Sequence, residues 1–390
     1  MDFVCFGADG LPLRNPVSYR DPYTTHGIME RLFARMPKEE VYRRTGIQFM
    51  NFNSLFQMAA QHEAGDSAYH QADKILFVPD ALIYMLTGQA VCERTILSTS
   101  QLMNPETGRI DGDLLRLVGL KEHQFGRLVM PGERVGELLP SVCRQTGMKP
   151  VPVIAVAGHD TASAVAAVPA VSPDFAYLSC GTWSLLGVEC PQPVISQQSF
   201  DLNFTNEGGV FGTTRLLKNI CGLWLLSRCQ EEWSDAPHDV AQLIDEAMSS
   251  ASCGTLLNPD DPIFANPSSM NDAIVAYCNR THQQVPQGYA QTTRCIFESL
   301  ANRYREVIDM LRGLSPVSIS RLHVIGGGSL NKALMQLTAE ATGLDVVAGP
   351  SECTAMGNIL MQAFSQRLVD DIWHLRKIVA NSVDLQYYKH

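Results

Sequence analysis

A chain of 390 residues can bury two domain cores, and 45% hydrophobic with 18% charged residues is the composition of an ordinary globular enzyme. Thirty Lys and Arg against forty Asp and Glu leave a net charge of −10 with no basic block, which argues against nucleic acid as a partner. The eleven cysteines form no CxxC pair and show no zinc-ligand spacing with histidine. There is no signal peptide and no apolar run approaching ~18 residues, so a cytoplasmic protein with reduced thiols and no membrane partner is expected.

Residues Met1 to Phe6 read as a strand, Ala8-Asp9-Gly10 as a tight turn and Pro16 to Tyr19 as the returning strand. Helices follow over His26 to Met36, over Lys38 to Arg44 (stopped by Gly46), over Ser54 to Glu63, and over Asp80 to Leu86 (between Pro79 and Gly88). Short helices over Leu114 to Val118 and Pro140 to Thr146 precede an apolar run, Val153 to Val156, that reads as a buried strand. A helix of small residues then starts near Asp160, and the prolines of Pro169 to Pro173 mark a boundary. Beyond it, strands over Phe175 to Ser179 and Trp183 to Glu189 flank the turn Cys180-Gly181-Thr182. After a further strand over Thr213 to Leu217, an amphipathic helix is expected over Asn219 to Glu232. Shorter helices follow, then a long one over Tyr289 to Leu314 with Ile296, Leu300, Tyr304, Val307 and Leu311 at helical spacing. The strand Leu322 to Ile325, the glycine run Gly326 to Gly328 and a helix from Asn331 complete an alternation that argues for α/β layering.

Three joints could carry chemistry. At the first, His159 and Asp160 follow a strand and open a helix, where open α/β sheets hold ligands. Asp160 there can be a general base for a substrate hydroxyl, or simply the cap of its helix. At the second, the small residues of Ser179 to Ser184 let backbone N–H groups approach an anion. At the third, an anion could sit between Gly326–Gly328 and the following helix N-terminus, although the run lacks the third glycine of a dinucleotide fingerprint. Gly357, inside a helical stretch, implies close approach of something to the backbone. No Walker A sequence and no Gly-x-Ser-x-Gly elbow occurs.

In their order these motifs resemble the FGGY carbohydrate kinases. The likeness rests on AGHDTASAVAA (Ala157 to Ala167), YLSCGTWSLLG (Tyr177 to Gly187), NEGG (Asn206 to Gly209), RLLKNICGLWLL (Arg215 to Leu226) and HVIGGGSLN (His323 to Asn331). It runs to about Gln366. It implies an α/β fold of two actin-like, ribonuclease H-type domains with a cleft between them: residues 1–170 for the sugar and 171–390 for the nucleotide. It also implies Asp160 as catalytic base, His159, Thr161 and Asn219 as sugar contacts, Thr182 near the nucleotide phosphates, and Gly326, Gly327 and Gly328 in the loop holding adenosine. No protein metal site is implied; Mg²⁺ would arrive on ATP.

The reaction implied is ATP-dependent phosphorylation of a ketose, L-rhamnulose, at its 1-hydroxyl, with xylulose, fuculose or glycerol as alternative substrates. Kinases of this family open with an Asp-x-Gly hairpin that grips phosphate, and Met1-Asp2-Phe3 begins at a later point of that pattern. The first domain is therefore expected to lack its N-terminal elements, and these 390 residues by themselves to show weak or no turnover; a non-catalytic, actin-like binding remnant is the competing reading.

Overall fold

The computed structural model describes residues 1–237 and 239–390. The chain divides into two compact units. The first comprises Met1–Ala167, Glu189–Leu216 and Thr354–Leu375; the second comprises Val168–Val188, Leu217–Cys353 and Arg376–His390.

In the first unit, β1 (Phe3–Phe6) pairs antiparallel with β2 (Lys74–Phe77). All four β1 residues are apolar because both its faces are covered. Phe3 and Cys5 join a core with Leu55, Phe56 and Leu97, while Val4 and Phe6 pack on Leu76 and Ala81. The expected return strand at 16–19 does not form. The chain turns back earlier, with the Leu13 N–H on the Cys5 carbonyl and a bridge from Phe6 to Pro12; Pro12 and Pro16 lack the N–H a longer ladder would use. The helices Lys38–Thr45 and Val78–Thr87 end at Gly46 and Gly88, both left-handed, as their glycine stops require.

The strand before the His159–Asp160 joint is also a correction. It spans only Pro152–Ile154 (β4) and pairs antiparallel with Arg134–Glu137 (β3) in a two-stranded sheet, exposed or half-exposed throughout. Its apolar residues mimic a central strand, but only Ala155 and Ala157, past its end, are buried.

The second unit is built on a twisted mixed sheet. Six successive strands of this seven-stranded sheet are β5 (Phe175–Cys180), β6 (Trp183–Cys190), β7 (Thr214–Cys221), β8 (Arg321–Ile325), β9 (Asp345–Ala348) and β10 (Gln386–Tyr388), with spatial order β7-β6-β5-β8-β9-β10; the seventh, Thr205–Gly208, lies beyond β7. β5 and β6 form the antiparallel hairpin, β8 lies parallel to both β5 and β9, and β10 closes the edge antiparallel. The helix Gly288–Leu314 buries Ile296, Leu300, Tyr304, Val307 and Leu311, the face expected from their spacing. Tyr304 and Ser184 of β6 share a buried hydrogen bond of 2.7 Å, which locks this helix to the hairpin.

His323 on β8 is 4% exposed, with its ring edge-on to Phe175. Burial, aided by Arg321 and Arg376, holds it down at about 3, so the folded chain keeps it neutral where the unfolded chain binds a proton. Stability is therefore expected to be full above about pH 6.5 and to fall as pH drops toward 3, by up to a few kcal/mol. His323→Phe should flatten that slope in denaturation midpoints; an unchanged slope would show that other groups carry it.

Candidate functional site

Asp160 opens the helix Asp160–Ala166 in the first unit, and its side chain is 78% exposed. Oδ1 accepts the Thr161 N–H at 2.7 Å and the Thr161 hydroxyl at 3.3 Å, and lies 3.5 Å from Nε2 of His159. Among the described residues Oδ2 accepts no hydrogen bond, so one oxygen is tied down and the other is open to a ligand. His159 occupies the cap position without capping through its side chain, and Asp160 instead accepts the second-position N–H, that of Thr161. Surrounding protein pushes the carboxyl up, but His159, the Thr161 donors and Arg215 outweigh it and hold it below its usual value. At neutral pH it is an ionised acceptor.

The loop carrying this carboxylate is held from beneath. Glu93 is buried, and its carboxylate accepts the N–H groups of Thr95 (2.8 Å), Ile96 (3.2 Å) and Gly158 (2.8 Å) and the Thr95 hydroxyl (2.5 Å). The Thr95 oxygen in turn accepts the His159 N–H at 3.1 Å. Burial raises the Glu93 carboxyl, and those four donors work against the rise. His159 itself faces Arg215, whose Nη2 lies 2.9 Å from Nδ1, and Glu207, 3.4 Å from the same nitrogen. The first unit thus brings His159, Asp160 and Thr161 together, as the sequence implies. It adds Glu93 and Thr95, which sequence reasoning missed. Glu93 caps the short helix Arg94–Ser98, but nothing local in Glu-Arg-Thr-Ile-Leu shows that the same carboxylate reaches Gly158, 65 positions away.

In the second unit, Thr182 is exposed at the tip of the β5–β6 hairpin. Its carbonyl accepts the N–H groups of Gly222 (3.1 Å) and Trp224 (3.3 Å), and the Gly181 carbonyl accepts that of Leu223 (3.0 Å). The tip is therefore rigid. Gly222 is required there, since a Cβ would come 2.7 Å from the Gly181 carbonyl oxygen and from Ser184 Oγ.

Asn219 does not open a helix. It lies inside β7, and the helix Trp224–Glu232 begins five residues later than expected. The apolar residues shared by strand and helix hid the turn at Gly222 between them.

The glycine run divides by role. A Cβ on Gly326 or Gly328 would strike Cys180 at the end of β5, whereas a Cβ on Gly327 would meet nothing within 4 Å. Two glycines pack the loop on the hairpin strand, and the middle one presents bare backbone to open space. The run does not lead straight into a helix N-terminus. A single turn, Gly327–Leu330, intervenes, and Asn331 caps the helix Lys332–Thr342 with its own side chain, 3.0 Å from the Leu334 N–H. Gly328→Ala is expected to cost about 1–3 kcal/mol by overpacking, and Gly327→Ala to stay within ~0.5 kcal/mol of the parent. Equal shifts in denaturant midpoint for the two would refute this division.

Among the described residues no three His, Cys, Asp or Glu side chains are placed to hold a metal ion, and no helix is long and apolar enough to cross a membrane. Mg²⁺ keeps most of its waters and needs one or two carboxylates beside nucleotide phosphates. A site with a single open carboxylate, Asp160, fits a cation carried in on the nucleotide.

An open carboxylate on a braced loop, with a rigid glycine-lined hairpin on a separate unit, are parts a kinase for small hydroxylated substrates uses. The model of the FGGY family of carbohydrate kinases, N-terminal domain, matches residues 1–167, and that of its C-terminal domain matches residues 176–366. The chain belongs to this family and is a carbohydrate kinase. Rhamnulokinase from Bacteroides thetaiotaomicron is 55% identical over 388 residues, covering 100% of this chain and 79% of that protein. Rhamnulokinase from Yersinia pestis is 44% identical over 387 residues, covering 99% and 78%. Among solved structures, a xylulose kinase from Lactobacillus acidophilus superposes with a TM-score of 0.78 at 16% identity, over 100% of this chain and 78% of that one. Plasmodium falciparum glycerol kinase with ADP gives 0.79 at 15%, over 100% and 78%. At such identities the likeness establishes the two-domain kinase fold alone.

Proposed function

We propose that this chain transfers the γ-phosphoryl group of ATP to the 1-hydroxyl of L-rhamnulose, giving L-rhamnulose 1-phosphate and ADP. The observation that carries this reading is Asp160. Its Oδ1 accepts both Thr161 donors and lies 3.5 Å from His159 Nε2, and its Oδ2 is open, in a chain whose relatives named rhamnulokinase align over its whole length.

In the reaction, Oδ2 of Asp160 accepts the hydroxyl proton as the sugar oxygen forms its bond to the γ-phosphorus, and the bond from that phosphorus to the bridging oxygen breaks to release ADP. Proton acceptance of this kind contributes on the order of 10²–10⁴-fold; the remainder comes from alignment and charge neutralisation, which dominate phosphoryl transfer. His159, Thr161 and Asn219 hold the sugar. Thr182 lies beside the phosphates, and Gly326 to Gly328 carry the adenosine end, with Gly327 giving the closest backbone approach. Mg²⁺ on the nucleotide offsets phosphate charge. Residues 1–170, with Asn219, supply the sugar side and the rest of residues 171–390 the nucleotide side.

The test is ADP release measured with ATP, Mg²⁺ and a panel of ketoses and glycerol. A preference for L-rhamnulose is expected. A clear preference for xylulose, fuculose or glycerol would move the chain to another sugar, and no release with any of them would make it a binding remnant.

A further inference from the structure

Two charged residues of the motifs NEGG and RLLKN, Glu207 and Arg215, have no place in the reaction as described, yet they meet behind the proposed base. Arg215 is completely buried, and Glu207 beside it is nearly so. Nη2 of Arg215 lies 3.1 Å from Oε2 of Glu207 and 2.9 Å from Nδ1 of His159. Its Nε donates to the Gly208 carbonyl at 3.2 Å, and the Gly208 N–H is held by Ser98 Oγ at 2.7 Å. The guanidinium is thus seated by main chain on one side and by a carboxylate on the other.

We propose that Arg215 and Glu207 are a positioning pair that locks His159 in the neutral form protonated on Nε2, with that N–H aimed at Oδ1 of Asp160. The inference rests on the reading of Asp160 as the base. Arginine has only donors. A short contact from Nη2 to Nδ1 is therefore attractive only if Nδ1 is bare, and the ring proton must sit on Nε2. The other tautomer, and the imidazolium, would set two N–H donors against each other at 2.9 Å.

Glu207 takes the second lobe of the same donor and keeps Nη2 from swinging away. Nη1 of Arg215 is buried without a partner among the described residues. A buried ion pair is seldom kept for stability, since apolar residues of like volume often do as well, and a stranded donor makes it costlier still. Orientation of the histidine accounts for its presence. The consequence reaches the carboxylate: Nε2–H joins the two Thr161 donors around Oδ1, and Oδ2 is left as the oxygen that faces the sugar. His159 so held can donate but cannot compete for the substrate proton.

The tautomer can be read without turnover. The full chain, labelled with ¹⁵N and free of sugar and nucleotide, is examined by long-range ¹H–¹⁵N correlation spectra between about pH 6 and 8, the range in which a free histidine titrates. His159 signals are identified by their loss in His159→Gln. The expected pattern is a protonated Nε2 and a bare Nδ1, unchanged across the range; a protonated Nδ1, alone or in an imidazolium, overturns the proposal. In Arg215→Met, or in Arg215→Gln, whose amide oxygen could accept from Nδ1–H, the protonated-Nδ1 form should become measurable. An unchanged tautomer in either folded variant removes Arg215 from the role, and if neither folds the parent spectrum still decides. Turnover of Asp160→Asn tests the base separately, so either idea can fail while the other stands.

Discussion

Asp160→Asn is expected to remove sugar-dependent ADP release, with kcat falling on the order of 10²–10⁴-fold. The substitution is nearly isosteric. The amide oxygen of Asn can still accept the Thr161 N–H that Oδ1 now takes, so the loop keeps its shape. What is lost is the capacity to receive a proton. Because the side chain is open to solvent, the melting temperature should hardly move, and sugar KM should change much less than kcat. The pH profile offers a second handle. The folded carboxyl sits below its usual value, so the basic form persists throughout neutral pH, and kcat/KM should lose activity through this group only below the ordinary range of an Asp side chain. Undiminished turnover in the Asn variant, under conditions where the parent chain works, would remove Asp160 from the chemistry.

Gly357→Ala is expected to destabilise the first unit by about 1–3 kcal/mol, against the ~1 kcal/mol that Ala for Gly normally gains within a helix. Gly357 lies in the helix Cys353–Ser365, where a Cβ would run into the carbonyl oxygen of Ser163. That obstacle is main chain of the helix Asp160–Ala166, three residues from the carboxylate, and cannot rotate aside. The two helices must part or tilt. A fall in denaturant midpoint at unchanged slope, with a loss of turnover beyond what instability explains, is the expected pair of results; a stabilised variant would mean the helices have room to spare. The close approach that a glycine inside a helix announces is therefore another helix, not a ligand.

Much of this was legible from residues. The long helix over Tyr289 to Leu314, the hairpin around Gly181 and the glycine stops at Gly46 and Gly88 all rest on signals a few positions apart. Asp160 could be singled out because a polar pair between an apolar run and a helix is a local anomaly. The errors share one cause. Pro152–Ile154 is as apolar as a central strand yet pairs with a single exposed neighbour, and Asn219 sits in a strand where its flanking residues suit a helix equally well. Short apolar runs do not reveal what lies across from them.

Sequence alone settled the family and singled out His159, Asp160 and Thr161, because those are properties of order and spacing along the chain. It could not give the state of those residues. That Oδ1 is occupied and Oδ2 open, that Glu93 reaches from 65 positions upstream to hold Gly158, and that Nη2 of Arg215 lies 2.9 Å from Nδ1 of His159 are facts of distance. Hydrogen bonds and charge–charge contacts act over a few ångströms of space, and folding brings to that range groups that the chain keeps far apart.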